Sequence, residues 1–458
     1  MKTIIPPIYE RIKDKSDPFK CDSFNRKEFA DNLTKLIQNT DHGLVLTINS
    51  KWGDGKTSFI KLWQMELENN ERIIPIYYDA FANDFTSDVF MSIAVLIYKT
   101  LKEKYKKDGI ASENKEQIKY LKKTSIKLGK ELLKMGVNAA VAAFTGGLVE
   151  NKKLSEWVVN SFKRLFWGTI ELNVEKKFEA HNNSHSIIKE YQEKLSSLLE
   201  IENTNQPDNK RKIVFFVDEL DRCRPNFAVE VIEKIKHLFN VKNVFFILAI
   251  NKSQLLSTIA SVYGVTNEES SIYLQKFVHL ETKLPPMLRS NNNGNVSNLE
   301  IYISDLIKEL DIEKSILPEP IIVKTLNDFS QENYMSLNPR SIERIMTYIA
   351  IAFNSIEVKL GEELKKQLVV MSALRVGEPA LYEKFKTGQI SRDSKDNSQR
   401  YFEWMKNFFK GERIDTASQV MNINGIADAC NILDVYEIPE IETKLKENKE
   451  VEKKPLPK

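Results

Sequence analysis

Three groups of residues in this sequence have the types and spacing for phosphate and water chemistry. The first is Ser50-Lys51-Trp52-Gly53-Asp54-Gly55-Lys56-Thr57. The pattern GxxxxGK(S/T) sets a glycine-rich turn before a lysine and a hydroxyl residue, so that backbone N–H groups cradle an anion at a helix start. Ser50 stands at the first glycine position, a small residue at the loop entrance, while Gly53 and Gly55 permit the tight backbone and Gly55, Lys56 and Thr57 fall in order. In this reading Trp52, Gly53, Asp54, Gly55, Lys56, Thr57 and Ser58 line the phosphate site. Lys56 reaches the β- and γ-phosphates, and the Thr57 hydroxyl coordinates Mg2+.

The second group is Asp218-Glu219, which ends the apolar run Ile213–Val217. A buried strand that delivers two adjacent carboxylates to a sheet edge suits hydrolysis: Asp218 holds Mg2+ through its water shell, and Glu219 accepts a proton from the attacking water. The alternative is an acidic helix start after a strand. The third is Asn251, ending "NVFFILAIN". It either orients the water or touches the γ-phosphate, or else it caps the following helix. Arg222, Arg224 and Arg340 are candidate phosphate-sensing cations, in the same chain or across a subunit interface, against a solvated or structural role for each.

The elements needed to position these groups are legible around them. "HGLVLTINS" is a short apolar, β-favouring run that ends at the loop, and "TSFIKLWQMELEN" continues from it with helical periodicity. "RIIPIYYDAFANDF" reads as a second core strand, followed by a long helix. The run before Asp218 and the run before Asn251 supply further strands, with the helix "FAVEVIEKIKHLF" between them. Strands alternating with helices predict a parallel sheet covered on both faces. An earlier helix is predicted from Phe29, Leu33, Leu36 and Ile37, and from Leu299 onward the pattern is helical, most clearly in "PRSIERIMTYIAIAF" and "EELKKQLVVMSALRV".

The expected organisation is a lead-in and first part of the core over 1–100, a basic helical insertion over 101–205, and the second part of the core over 206–290. A C-terminal helical domain over 291–440 and a disordered tail over 441–458 follow. Basic and acidic residues nearly balance, 67 against 64, so nucleic acid binding would need a local patch. The stretch Lys102–Lys134 is locally basic, with eleven lysines against five acidic residues, but no aromatic interleaving or recognised binding module supports nucleic acid binding there, so that reading ranks below the others. Cys21, Cys223 and Cys430 are widely separated and form no CxxC pair, which argues for reduced thiols in a cytoplasmic protein and against a zinc site or disulfide framework. The first residues hold no long apolar run, so a secretory signal is not expected.

Taken together, "SKWGDGKTSF", "YYDAFANDF", "VFFVDELDRCRP", "FILAINKSQL", "YLQKFVHLETKLPP" and "NPRSIER" resemble the KAP family of P-loop NTPases, from about Pro7 to Phe353. The resemblance implies an α/β fold: a P-loop NTPase sheet flanked by helices, a helical insertion between the nucleotide motifs, and a C-terminal helical domain. It implies ATP and Mg2+ as ligands, and for prokaryotic members a setting in antiphage defence. Three positions depart from the family: Ser50 replaces the usual glycine, Phe81 a tryptophan, and Asp218-Glu219 a pair of aspartates.

The family insertion often carries membrane-spanning helices. Here the run Met135–Val149 is shorter than the roughly twenty apolar residues that a span needs and contains Asn138. A hairpin packed on protein is favoured, with peripheral contact at the inner membrane face as the alternative, suggested by the lysines before the run and by Trp157, Phe162, Phe166 and Trp167 after it. His181 and His185 have helical metal-chelating spacing but no evident third ligand. The leading expectation is a cytoplasmic Mg2+-dependent ATP hydrolase acting as a switch, with a homo-oligomer and an effector protein as candidate partners. The alternative is a nucleotide-gated scaffold or membrane-associated signalling protein with little turnover.

Overall fold

Strands β3 (Lys212–Asp218) and β4 (Val244–Ile250) are buried along their whole length, which requires both faces to be covered. Alternate residues point to opposite faces. Ile213, Phe215, Val217, Val244, Phe246, Leu248 and Ile250 join one apolar cluster, and Val214, Phe216, Phe245, Ile247 and Ala249 join the other. The computed structural model describes residues 5–12, 14–86, 89–108, 117–126, 188–200, 210–235, 241–287, 298–310, 319–331, 337–354 and 362–386. Met135–Val149, Trp157–Trp167, His181, His185 and the 441–458 tail lie outside these residues.

The chain forms two units: Ile8–Trp52 with Lys56–Pro285, and Met1–Pro7 with Gly53–Gly55 and Pro286–Lys458. In the first unit, β1 (Leu44–Asn49), β2 (Ile73–Asp79), β3, β4 and β5 (Leu280–Lys283) form a sheet of order β2-β3-β4-β1-β5. All its pairings are parallel. Pro75 lies within β2, a position that the missing N–H tolerates because β2 is an edge strand. β5, at the other edge, is four residues long and mostly exposed.

Ahead of the sheet run α1 (Ile8–Arg11) and α2 (Lys27–Gln38). One face is covered by α2 and α3 (Lys56–Glu68), which contribute Leu33, Ile37, Phe59, Ile60 and Trp63. Trp63 is fully buried, meets the Phe216 ring edge-on at 5.1 Å, and donates its indole N–H to Thr34 Oγ1 at 2.9 Å. The opposite face is covered by α4 (Val89–Lys107), α5 (Pro225–Ile235), α6 (Lys252–Tyr263) and α7 (Asn267–Gln275). Two further helical stretches, 117–126 and 188–199, add Leu121, Tyr191, Leu195 and Leu198 to that same core. The Lys212 ammonium at the start of β3 collects the carbonyls of Ile37, Gln38 and Thr40 where α2 ends, as a cation at a helix C-terminus should.

The second unit is helical where described after Pro286: α8 (Asn298–Glu309), α9 (Glu319–Gln331), α10 (Pro339–Asn354), α11 (Glu362–Gly377) and α12 (Pro379–Lys386). α10 packs on α11, α11 on α12, and α8 on α9. The start of α10 reads directly from "NPRS": Asn338 Oδ1 accepts the Ser341 N–H, Ser341 Oγ accepts the Asn338 N–H, and Pro339 takes the first helical position. Buried Arg375 lies over the rings of Tyr348 and Tyr382 at 4.8 and 5.4 Å. Among the described residues no helix is long and apolar enough to cross a membrane.

Because Trp63 ties α3 and α2 to β3, Trp63→Ala is expected to cost about 3–5 kcal/mol of unfolding free energy in chemical denaturation.

Candidate functional site

β1 ends at Asn49, and the chain turns at once into the glycine loop; the Ser50 N–H donates to Ile250 O at 3.1 Å, tying the loop entrance to the end of β4. Gly53 and Gly55 have φ of +90° and +86°, a region that residues with a Cβ rarely adopt. The first turn of α3 starts at Lys56, so its unbonded N–H groups lie where the loop ends. Lys56 is 9% exposed and its ammonium donates to Ser50 O at 2.8 Å and to Lys51 O at 3.1 Å. The positive charge is therefore held inside its own loop. Trp52 is 45% exposed, but its indole N–H is bonded to Asp221 Oδ2. Asp54 separates the two glycines, and Ser58 follows Thr57 in the first turn of α3.

The sheet order sets β4 between β1 and β3, so the loop after β1 and the carboxylates after β3 come to the same edge about 10 Å apart in the sheet. Asp218 continues the alternation of Val214 and Phe216 and therefore faces α3. It is 1% exposed. Burial pushes its carboxyl above the ordinary carboxylate range, opposed by a hydrogen bond from Thr57, by the Glu219 N–H, by Tyr77 and by the Lys56 charge. The Glu219 N–H donates to Asp218 Oδ1 at 2.9 Å and the Tyr77 hydroxyl to Oδ2 at 3.1 Å. The Thr57 hydroxyl is thus among the groups that act on the Asp218 carboxyl, and a hydroxyl and a carboxylate are the hard oxygen donors that Mg2+ accepts.

Glu219 has φ of +58° and ψ of 22°, a left-handed conformation that costs a non-glycine residue on the order of 1 kcal/mol or more. The turn directs its N–H back to Asp218 and leads into the short 3-10 segment Leu220–Arg222. Its carboxylate pairs with Arg222 at 3.0 Å. Arg224 instead binds Asp84, the guanidinium and the backbone N–H each donating to that carboxylate at 2.8 Å. Asn251 follows β4 directly and opens α6, but its side chain does not cap the helix; the Lys252 N–H is taken by Asn49 Oδ1 at 3.0 Å. In the second unit the Arg340 N–H donates to Gly53 O at 3.3 Å.

Residues 26–356 match the KAP family P-loop domain. The chain belongs to the KAP family of P-loop NTPases. An uncharacterized protein of Methanocaldococcus jannaschii is 30% identical over 180 residues, which are 38% of this KAP chain and 89% of that protein. Among solved structures, the ADP form of the Aeropyrum pernix ORC2 protein is similar at a TM-score of 0.35 and 11% identity, over 90% of this chain and 94% of that one.

The geometry adds residues to the site that spacing along the KAP sequence does not reveal. Asp79 pairs in register with Asp218 on the neighbouring strand, and its Oδ1 accepts the Ala82 N–H at 2.8 Å. Tyr77 reaches Asp218 from β2, and Lys61 on α3 places its ammonium 3.0 Å from the centre of the Tyr77 ring. Burial, then the charges of Asp218 and Asp79, drive the Tyr77 hydroxyl far above its ordinary value, so it remains a donor. Tyr9 on α1 is raised by burial and by the charges of Glu10, Asp218, Glu219 and Asp79. One sequence signal was available: an alternating strand places Ile73, Pro75, Tyr77 and Asp79 on one side of β2.

Because its folded value is raised, Asp218 binds more protons in the native chain than in the unfolded one, and its contribution to stability falls as pH rises through the carboxylate range. Asp218→Asn is therefore expected to raise the ligand-free melting temperature at pH 8, with the gain shrinking towards pH 4 as the wild-type group protonates. Thermal denaturation of both proteins across that range measures it.

Proposed function

We propose that this chain is a Mg2+-dependent ATP hydrolase whose turnover drives a conformational switch. The observation that carries this reading is buried Asp218 at the end of β3, whose carboxyl is acted on by the Thr57 hydroxyl and the Lys56 charge at the end of the glycine loop. Two sequence motifs far apart in the chain converge there on the oxygen donors that a metal nucleotide requires.

In this mechanism the triphosphate accepts N–H groups of the loop and of the first turn of α3, and Lys56 exchanges the carbonyls of Ser50 and Lys51 for phosphate oxygens. Thr57 and Asp218 are the residues that would hold Mg2+, which would supply charge neutralisation to the phosphates. Glu219 takes the proton of the water whose oxygen bonds to the γ-phosphorus as the bond to the bridging oxygen breaks. Its pairing with Arg222 is partly solvated and worth no more than about 1 kcal/mol, so the carboxylate can leave it for the water. Asn251, at the end of the strand between the two motifs, orients that water. The choice of adenine, the antiphage setting and an effector protein as partner enter this proposal from the family, and a cytoplasmic location from the three separated cysteines.

ATP binding and phosphate release, followed in parallel, test it. Lys56→Ala is expected to weaken ATP binding at least tenfold. Glu219→Gln should bind ATP as the wild type does and turn it over about a hundredfold or more slowly. Equal turnover by Glu219→Gln would remove the hydrolytic role. Tight ATP binding by a wild type that does not turn over would instead support a nucleotide-gated scaffold.

A further inference from the structure

A carboxylate rotates softly about its last torsion, so a buried aspartate holds one orientation only when donors fix both oxygens. Asp218 has such donors on opposite sides: the Glu219 N–H on Oδ1 at 2.9 Å and the Tyr77 hydroxyl on Oδ2 at 3.1 Å. Tyr77 is itself held. Its ring lies on the α3 face of the sheet, paired in register with Phe216, and the Lys61 ammonium sits 3.0 Å from the ring centre. Thr57 and Lys61 are one helical turn apart on α3, so a single face of that helix presents the first to Asp218 and the second to Tyr77. Helix α3 and strands β2 and β3 are thereby linked through Lys61, Tyr77 and Asp218.

Phenylalanine would fill the same space, pack on the same neighbours and offer the same ring to Lys61. The hydroxyl adds only the bond to Asp218. A carboxylate has about four acceptor positions, so this bond leaves room for a cation on the same group.

We propose that Tyr77 is a positioning residue of the metal–nucleotide site: its hydroxyl fixes the plane of the Asp218 carboxylate, so that a divalent cation carried by a nucleotide meets it in one orientation. The inference rests on the nucleotide reading above and names a residue that the glycine loop and the acidic pair do not include.

The test is Tyr77→Phe in the full chain, with Mn2+ as the probe. Electron paramagnetic resonance measures free Mn2+ during titration into protein saturated with ADP, and fluorescence of a labelled ADP measures nucleotide affinity in EDTA. The expected result is a half-saturating Mn2+ concentration raised about tenfold or more, as loss of a hydrogen bond to a charged group implies, with ADP affinity in EDTA unchanged. Wild-type Mn2+ affinity in the variant would overturn the proposal. An equal loss of ADP affinity in EDTA would overturn it too, because Tyr77 would then be supporting the loop as a whole. A wild type that binds neither ADP nor Mn2+ with ADP would instead overturn the nucleotide reading, and this inference with it.

Discussion

A carboxyl group at the end of a fully buried strand is the constraint around which this core is arranged. Asp218 is almost inaccessible to water, and a charge in such a place is costly unless hydrogen bonds and opposite charge surround it. The surrounding elements supply them from three directions: Thr57 and the Lys56 charge from the glycine loop and α3, Tyr77 from β2, and the backbone of Glu219 from the turn that follows. The fold reaches Asp218 with a strand of β-favouring apolar residues because only a strand covered on both faces can hold its last residue so deeply.

The local costs at the site run in the same direction. Glu219 sits in a left-handed conformation, Gly53 and Gly55 bend the loop through positive φ, and Lys56 is drawn in among backbone carbonyls. Strain and buried charge concentrated in one region are typical of binding and catalytic sites, where the rest of the fold compensates for them. Here the compensation lies in the two apolar layers, with Trp63, Phe216, Phe215 and Phe246 fully buried between sheet and helices.

The strands β1, β3 and β4 are legible because two covered faces demand predominantly apolar runs, and the helices α3 and α10 because their apolar residues recur at helical spacing, α3 directly after the phosphate-loop pattern. β5 was harder to read. Its sequence Leu-Glu-Thr-Lys has no apolar signature, and it is a strand because β1 offers its edge for pairing. The spacing of Glu219 and Arg222 puts them in reach within one turn, but that they pair depends on the left-handed turn at Glu219, which propensities do not foresee. Strand alternation sets Tyr77 and Asp79 on one side of β2, but their part in the site depends on the register of β2 against β3, a long-range property that local sequence does not mark.

The glycine loop and Asp218, read together as a metal–nucleotide site, require that ATP bind with its metal. Isothermal titration of ATP into the wild-type chain, in Mg2+ and again in EDTA, tests it most directly. ATP is expected to bind saturably at one site per chain in Mg2+, and more weakly when the metal is removed. Absence of binding at millimolar ATP in Mg2+ would contradict it.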